Sequence, residues 1–173
     1  MSQTSVHKTA LEIELIEKLE PVLANLGYEC RDVEVFTGGS GVIRITVDRE
    51  GGPDREHISI DDCSKVHQVV GPMFDVWDPL PTAYTLEVSS PGEQPRLRLL
   101  KHFEEAVNDK IRFQTLEAVV LPPPSKPRKN WEGDLLGVDV EAGLVVLKDH
   151  SSVEHKIPVS QLKNAVWLRV WNP

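Results

Sequence analysis

Long apolar runs are missing from this 173-residue sequence. No window approaches the roughly 18 consecutive apolar residues that a membrane-spanning helix needs. The opening stretch, MSQTSVHKTALEIELIEKLE, lacks the basic segment and apolar core of a secretory leader. The expectation is a soluble, cytoplasmic protein with no membrane partner. Cysteine is scarce: Cys30 and Cys63 stand alone, with no CxxC. That count excludes a disulfide framework and a four-cysteine zinc site. Nucleotide fingerprints are absent as well. Gly38-Gly39-Ser40-Gly41 joins two strand-like runs, whereas a phosphate-cradling loop joins a strand to a helix.

Catalytic signatures are equally thin. Ser89 and Ser90 do not sit in G-x-S-x-G, and no histidine is marked as their base. His57, Asp61, Cys63 and His67 crowd one segment, and Cys63 and His67 are four apart, a ligand spacing on a helix. However, Cys63 falls on the apolar stripe of that helix, His57 precedes it, and no HExxH supports a metal. The expectation is no enzyme, no catalytic residue, no metal and no cofactor.

Charge is present in quantity and unevenly spread. The net charge of −8 divides into −9 over residues 1–90 and +1 over residues 91–173. An acidic half repels phosphate at long range and attracts basic partners. Acidic surface also serves solubility alone.

Periodicity organises the first half. Leu11, Leu15, Leu19, Val22 or Leu23, and Leu26 predict an amphipathic helix over 9–26. Thr9 and Glu12 form its capping box, Gly27 its stop, and Pro21 is expected to kink or split it. Alternating runs at 30–36 and 42–48 predict a hairpin. A second helix is expected over 60–76, capped by Ser59 and Asp62, with Gly71-Pro72 distorting it and Asp78-Pro79 ending it. A strand at 83–89 completes a small mixed sheet with helices on one face.

After Pro91-Gly92 the pattern changes. A short helix at 99–107 precedes five strand candidates: 111–116, 131–136, 144–148, 153–157 and 166–171. Short, evenly spaced strands read as a small β-barrel. The proline-rich, basic stretch 118–130 is expected to be a stiff exposed loop. The expected organisation is an N-terminal α/β domain at 1–91, a linker at 92–98 restrained by Pro91 and Pro95, and a C-terminal barrel domain at 99–173.

Read in order, DVEVF at 32–36, VIRITVD at 42–48, ISIDDC at 58–63, DVWDPL at 75–80 and YTLEVSSPG at 84–92 resemble the ribosome maturation factor RimP family. KHFEEAVNDKIRF at 101–113, GDLLGVD at 133–139 and IPVSQLKNAVWL at 157–168 continue the resemblance into the second half. Where that family usually has Leu-Asp-Arg-Pro-Leu after Pro-Gly, this chain has Glu93-Gln94-Pro95-Arg96-Leu97, with arginine and proline exchanged.

The resemblance implies an α+β protein of two domains, the second a Sm-like or SH3-like small barrel. It implies a non-enzymatic assembly factor for the 30S subunit that associates with free particles. It also implies help in folding 16S rRNA and in incorporating a basic small-subunit protein, S twelve. The expected state is a monomer. Candidate residues for meeting the protein partner are Asp48, Asp61, Asp62, Ser89, Ser90, Pro91 and Gly92. Asp61 and Asp62 equally suit the first turn of a helix, where carboxylates complement the macrodipole. Candidates for RNA phosphates are Arg96, Arg98, Lys101, Lys126, Arg128 and Lys129. The alternative reading is a general single-stranded RNA-binding barrel, with Trp131, Trp167 and Trp171 as available aromatics.

Overall fold

The computed structural model describes residues 4–51, 56–119 and 126–169. They form two compact units: Lys8–Gly92, and Glu93 onward together with the residues up to His7. Residues 120–125 of the expected 118–130 loop, and Trp171, lie outside the described residues.

In the first unit, helix α1 spans Ala10–Asn25. Thr9 Oγ1 accepts from Glu12 N at 3.3 Å, and Glu12 Oε2 accepts from Thr9 N at 2.9 Å. The other Glu12 oxygen accepts from Val35 N at 3.1 Å, so the cap also ties the helix to the sheet. Leu15, Ile16, Leu19 and Leu23 recur at helical spacing and are buried. Gly27, at φ 85°, reverses the chain after the C-cap. Pro21 does not split the helix. It removes one intrahelical bond, and Leu19 and Leu23 anchor the turns on either side in the core.

Strands β1 (Tyr28–Phe36) and β2 (Val42–Arg49) form the antiparallel hairpin. Helix α2 (Ile60–Trp77) then crosses to β3 (Thr85–Ser89), which pairs parallel to β2. The sheet is mixed, in order β1-β2-β3. Ile43, Ile45 and Val47 alternate along β2 into one core with Leu19 and Leu23 of α1 and Val66, Val70 and Phe74 of α2. Both helices therefore cover the same sheet face. Pro72 sits inside α2 without ending it.

The second unit holds α3 (Leu100–Glu105), β4 (Lys110–Val119), β5 (Arg128–Asp139), β6 (Leu144–Lys148), β7 (Glu154–Pro158) and β8 (Leu162–Leu168). All strand pairs are antiparallel, in order β7-β6-β5-β4-β8. The barrel expected from the sequence is corrected here to an open five-stranded sheet. Among the described residues β7 pairs only with β6, and β8 pairs with β4. Strand β7 is short and ends in Pro158, which has no N–H to offer another ladder. A second correction concerns the expected loop at 118–130. Val119 pairs with Arg128, so both strands run well into that stretch.

Residues 95–97 join this unit along β8. Leu97 N donates to Ala165 O at 3.0 Å, and Trp167 N donates to Pro95 O at 2.9 Å. The N-terminal residues do likewise: Val6 N donates to Arg98 O at 2.8 Å and His7 N to Leu162 O at 2.7 Å. Val6 is buried in the same cluster as Phe103, Phe113, Trp131 and Trp167. Gly133 on β5 marks a close approach of backbones, because a Cβ there would lie 2.3 Å from the carbonyl oxygen of Lys148.

Candidate functional site

Strands β4, β5 and β8 turn one polar face outward. Period-two alternation puts Ile111, Phe113 and Thr115 inward and Arg112 and Gln114 outward on β4. In register, Glu132 of β5 and Val166 of β8 sit opposite Arg112, and Asn130 sits opposite Gln114. Arg96 bridges to Val166 and extends the same row.

Strand β8 slips register between its partners Arg112 and Gln114, and Asn164 within that bulge has φ 52°. Asparagine tolerates this left-handed conformation better than most residues. A bulge re-aims the side chain it carries, and here Asn164 Nδ2 donates to Gln114 Oε1 at 3.0 Å. Gln114 Nε2 donates in turn to Asn130 Oδ1 at 2.9 Å. Three amides thus run in a row across three strands.

These residues line a groove of about 470 Å³, together with Arg96, Arg112, Arg128 and His150. Beneath it, the rings of Phe113 and Trp131 stack with centroids 6.2 Å apart. Both are buried, so neither offers an open platform to a base. Trp131 Nε1 and Arg128 Nε are buried without a hydrogen-bond partner among the described residues. Arg112 reaches Gln94 Oε1 at 3.4 Å.

Arg128 is placed by a network. Its guanidinium lies 4.0 Å from the centroid of the Trp131 ring, and its NH2 donates to Asp149 Oδ2 at 2.6 Å. Asp149 also accepts from His155 Nε2 at 2.8 Å and from the backbone N–H groups of Ser151 and Val153. Burial opposes ionisation of Asp149. The bonds from His155, Arg128 and the two backbone donors outweigh it and hold the carboxyl below the usual carboxylate range.

The sequence-predicted cations separate into groups. Arg96 and Arg128 share the groove. Lys126 and Lys129 are exposed beside Arg128 in the chain. Arg98 is buried, and Lys101 is exposed on α3; neither lines the groove. Arg112, Gln114, Asn130, Glu132 and Asn164 are groove residues that the sequence did not single out.

The predicted carboxylates also differ in role. Asp62 is buried at the start of α2. It accepts from Tyr28 Oη at 2.5 Å, Ser59 N and Ser59 Oγ at 2.8 Å each, and Arg49 NH2 at 3.1 Å. The bonds from Tyr28 and Ser59 hold its carboxyl well below the usual range. Asp62 therefore acts as cap and cross-link. Asp48 is buried, with Arg31 NH1 3.7 Å away. Asp61 is exposed on the first turn of α2. Ser89 ends β3 opposite Thr46, Pro91 is half-buried, and Ser90 and Gly92 are exposed.

A second cavity, of about 550 Å³, lies between the end of α2 and residues 80–86. Asp75, Asp78, His67 and Tyr84 line it. Burial, then the charges of Asp78 and Asp75, push the Tyr84 phenol up, and its Oη donates to Phe74 O at 3.3 Å. Among the described residues no three His, Cys, Asp or Glu side chains converge as metal ligands, and no helix is long and apolar enough to cross a membrane.

Against known families, residues 18–94 match the model described as the RimP N-terminal domain.

Proposed function

We propose that this chain, whose residues 18–94 match the RimP N-terminal domain, is a ribosome maturation factor of the RimP family that assembles the small ribosomal subunit by binding, without catalysis. It works in the cytoplasm as a monomer on free pre-30S particles. It holds 16S rRNA and a basic small-subunit protein, S twelve, in an arrangement the finished subunit no longer accommodates.

The family match carries this reading. Two features of the molecule support it. The acidic unit offers Asp61 on the surface and Asp75 and Asp78 in a cleft, which suits lysine- and arginine-rich protein. The second unit offers Arg96, Arg112 and Arg128 in one groove, which suits phosphate. Engaging two ligands with two linked units raises specificity beyond that of either contact.

Depleting the protein from its cells tests the proposal. The fraction of small subunits joined into 70S ribosomes is expected to fall, with free immature particles accumulating. An unchanged subunit ratio contradicts it. A general RNA-binding module predicts no such selective loss.

A further inference from the structure

We infer that the groove across β4, β5 and β8 is a site for a short single-stranded RNA segment, with arginines on its phosphates and the amide row on its base edges. The inference rests on the maturation reading above for the RNA's presence, and on geometry for the rest.

The amide row has a direction. Gln114 accepts from Asn164 and donates to Asn130. That pattern leaves Asn164 Oδ1 as an acceptor at one end and Asn130 Nδ2 as a donor at the other. The remaining amide hydrogens of Gln114 and Asn164 lie between them. A flat array holding both donors and acceptors matches the edge of an unpaired base, which also carries both. Holding the row costs a left-handed Asn164 and a bulge in β8. A strand that served only packing would gain nothing from this, since Asn164 is exposed.

The neighbouring row supplies charge. Arg112 is exposed, and Arg96 and Arg128 flank it in the groove. Glu132 in the same groove can accept a hydrogen bond from the exocyclic amino group of a base, a contact an acidic peptide's side chains do not offer. With Phe113 and Trp131 buried, base stacking falls to guanidinium planes. A duplex is disfavoured because its paired base edges are occupied and its readable groove is shallow.

The test titrates the full chain with a labelled single-stranded RNA, with the matching RNA duplex, and with polyglutamate. The single strand is expected to bind best. Arg112→Ala should weaken it by about tenfold at low salt and reduce the salt dependence by about one phosphate contact. The double variant Gln114→Ala/Asn130→Ala should change the ranking of homopolymer RNAs and leave the salt dependence in place. Thermal unfolding of each variant checks that the fold is kept; all three positions lie on the outward face. Equal binding by wild type and Arg112→Ala overturns the inference, as does polyglutamate binding as well as RNA. An unchanged homopolymer ranking in the double variant overturns the base-reading part. Small-subunit binding separates the two levels. If wild type binds pre-30S particles but no single strand, the groove assignment fails and the maturation reading stands. If it binds single strands but no particles, the maturation reading fails.

Discussion

Tyr28 Oη donates a 2.5 Å hydrogen bond to Asp62 Oδ1. The contact links the first residue of β1 to the first turn of α2, 34 positions apart. Asp62 simultaneously completes the capping box with Ser59 and pairs with Arg49 at the end of β2. One carboxylate thus fixes where α2 starts relative to the sheet, and α2 in turn sets one wall of the Asp75–Asp78 cleft. Tyr28→Phe removes one charge-assisted bond and keeps the ring. The melting temperature should drop by about 2–6 °C. An unchanged melting temperature contradicts the role assigned to this bond.

Asp62 and Asp149 give the protein a defined acid response. Both carboxyls are held below the usual range in the folded state. Above about pH 5 the folded and unfolded forms are both ionised, and the stabilisation is fully present. As pH falls further, the unfolded chain takes up protons that the folded state still refuses, so stability is lost. Asp149→Asn should flatten the fall in stability below about pH 5, measured by urea unfolding across pH. Parallel profiles for variant and wild type contradict this.

Gly133 and Gly137 form an internal comparison on β5. A Cβ at Gly133 meets the Lys148 backbone at 2.3 Å, while at Gly137 nothing lies within 4 Å. Gly133→Ala should destabilise by about 1–3 kcal/mol through forced separation of β5 and β6. Gly137→Ala should change stability little. Urea unfolding of the two variants reads the difference, and equal stabilities contradict the close approach.

Val6 tests the unexpected membership of the N-terminal residues in the second unit. It is buried in that core at 4% exposure. Val6→Ala should cost about 1–3 kcal/mol. If the variant unfolds like wild type, the segment is dispensable to the core.

Much of this architecture was legible in local pattern. The Thr9–Glu12 and Ser59–Asp62 boxes placed both long helices, and alternation placed the hairpin and the 144–148 strand. What failed was non-local. Pro21 was expected to kink or split α1, yet buried residues on the flanking turns keep that helix in one piece. Asp48 read as a partner-facing charge, and Asp62 as a cap or a partner contact, because Arg31, Tyr28 and Arg49, which engage them, come from elsewhere in the chain. The alternation of β4 already put Arg112 and Gln114 on one face. Finding their neighbours needed strand register, and Asn164 reaches them only through a bulge that no period-two pattern shows. Nothing local in the first residues indicates that Val6 packs against a core built some 100 positions later.

Sedimentation of the purified full chain with ribosomal particles tests the central claim most directly. On sucrose gradients at physiological salt, the protein should travel with free small subunits, immature ones above all, and be absent from 70S ribosomes. Equal association with both particles, or with neither, contradicts the account.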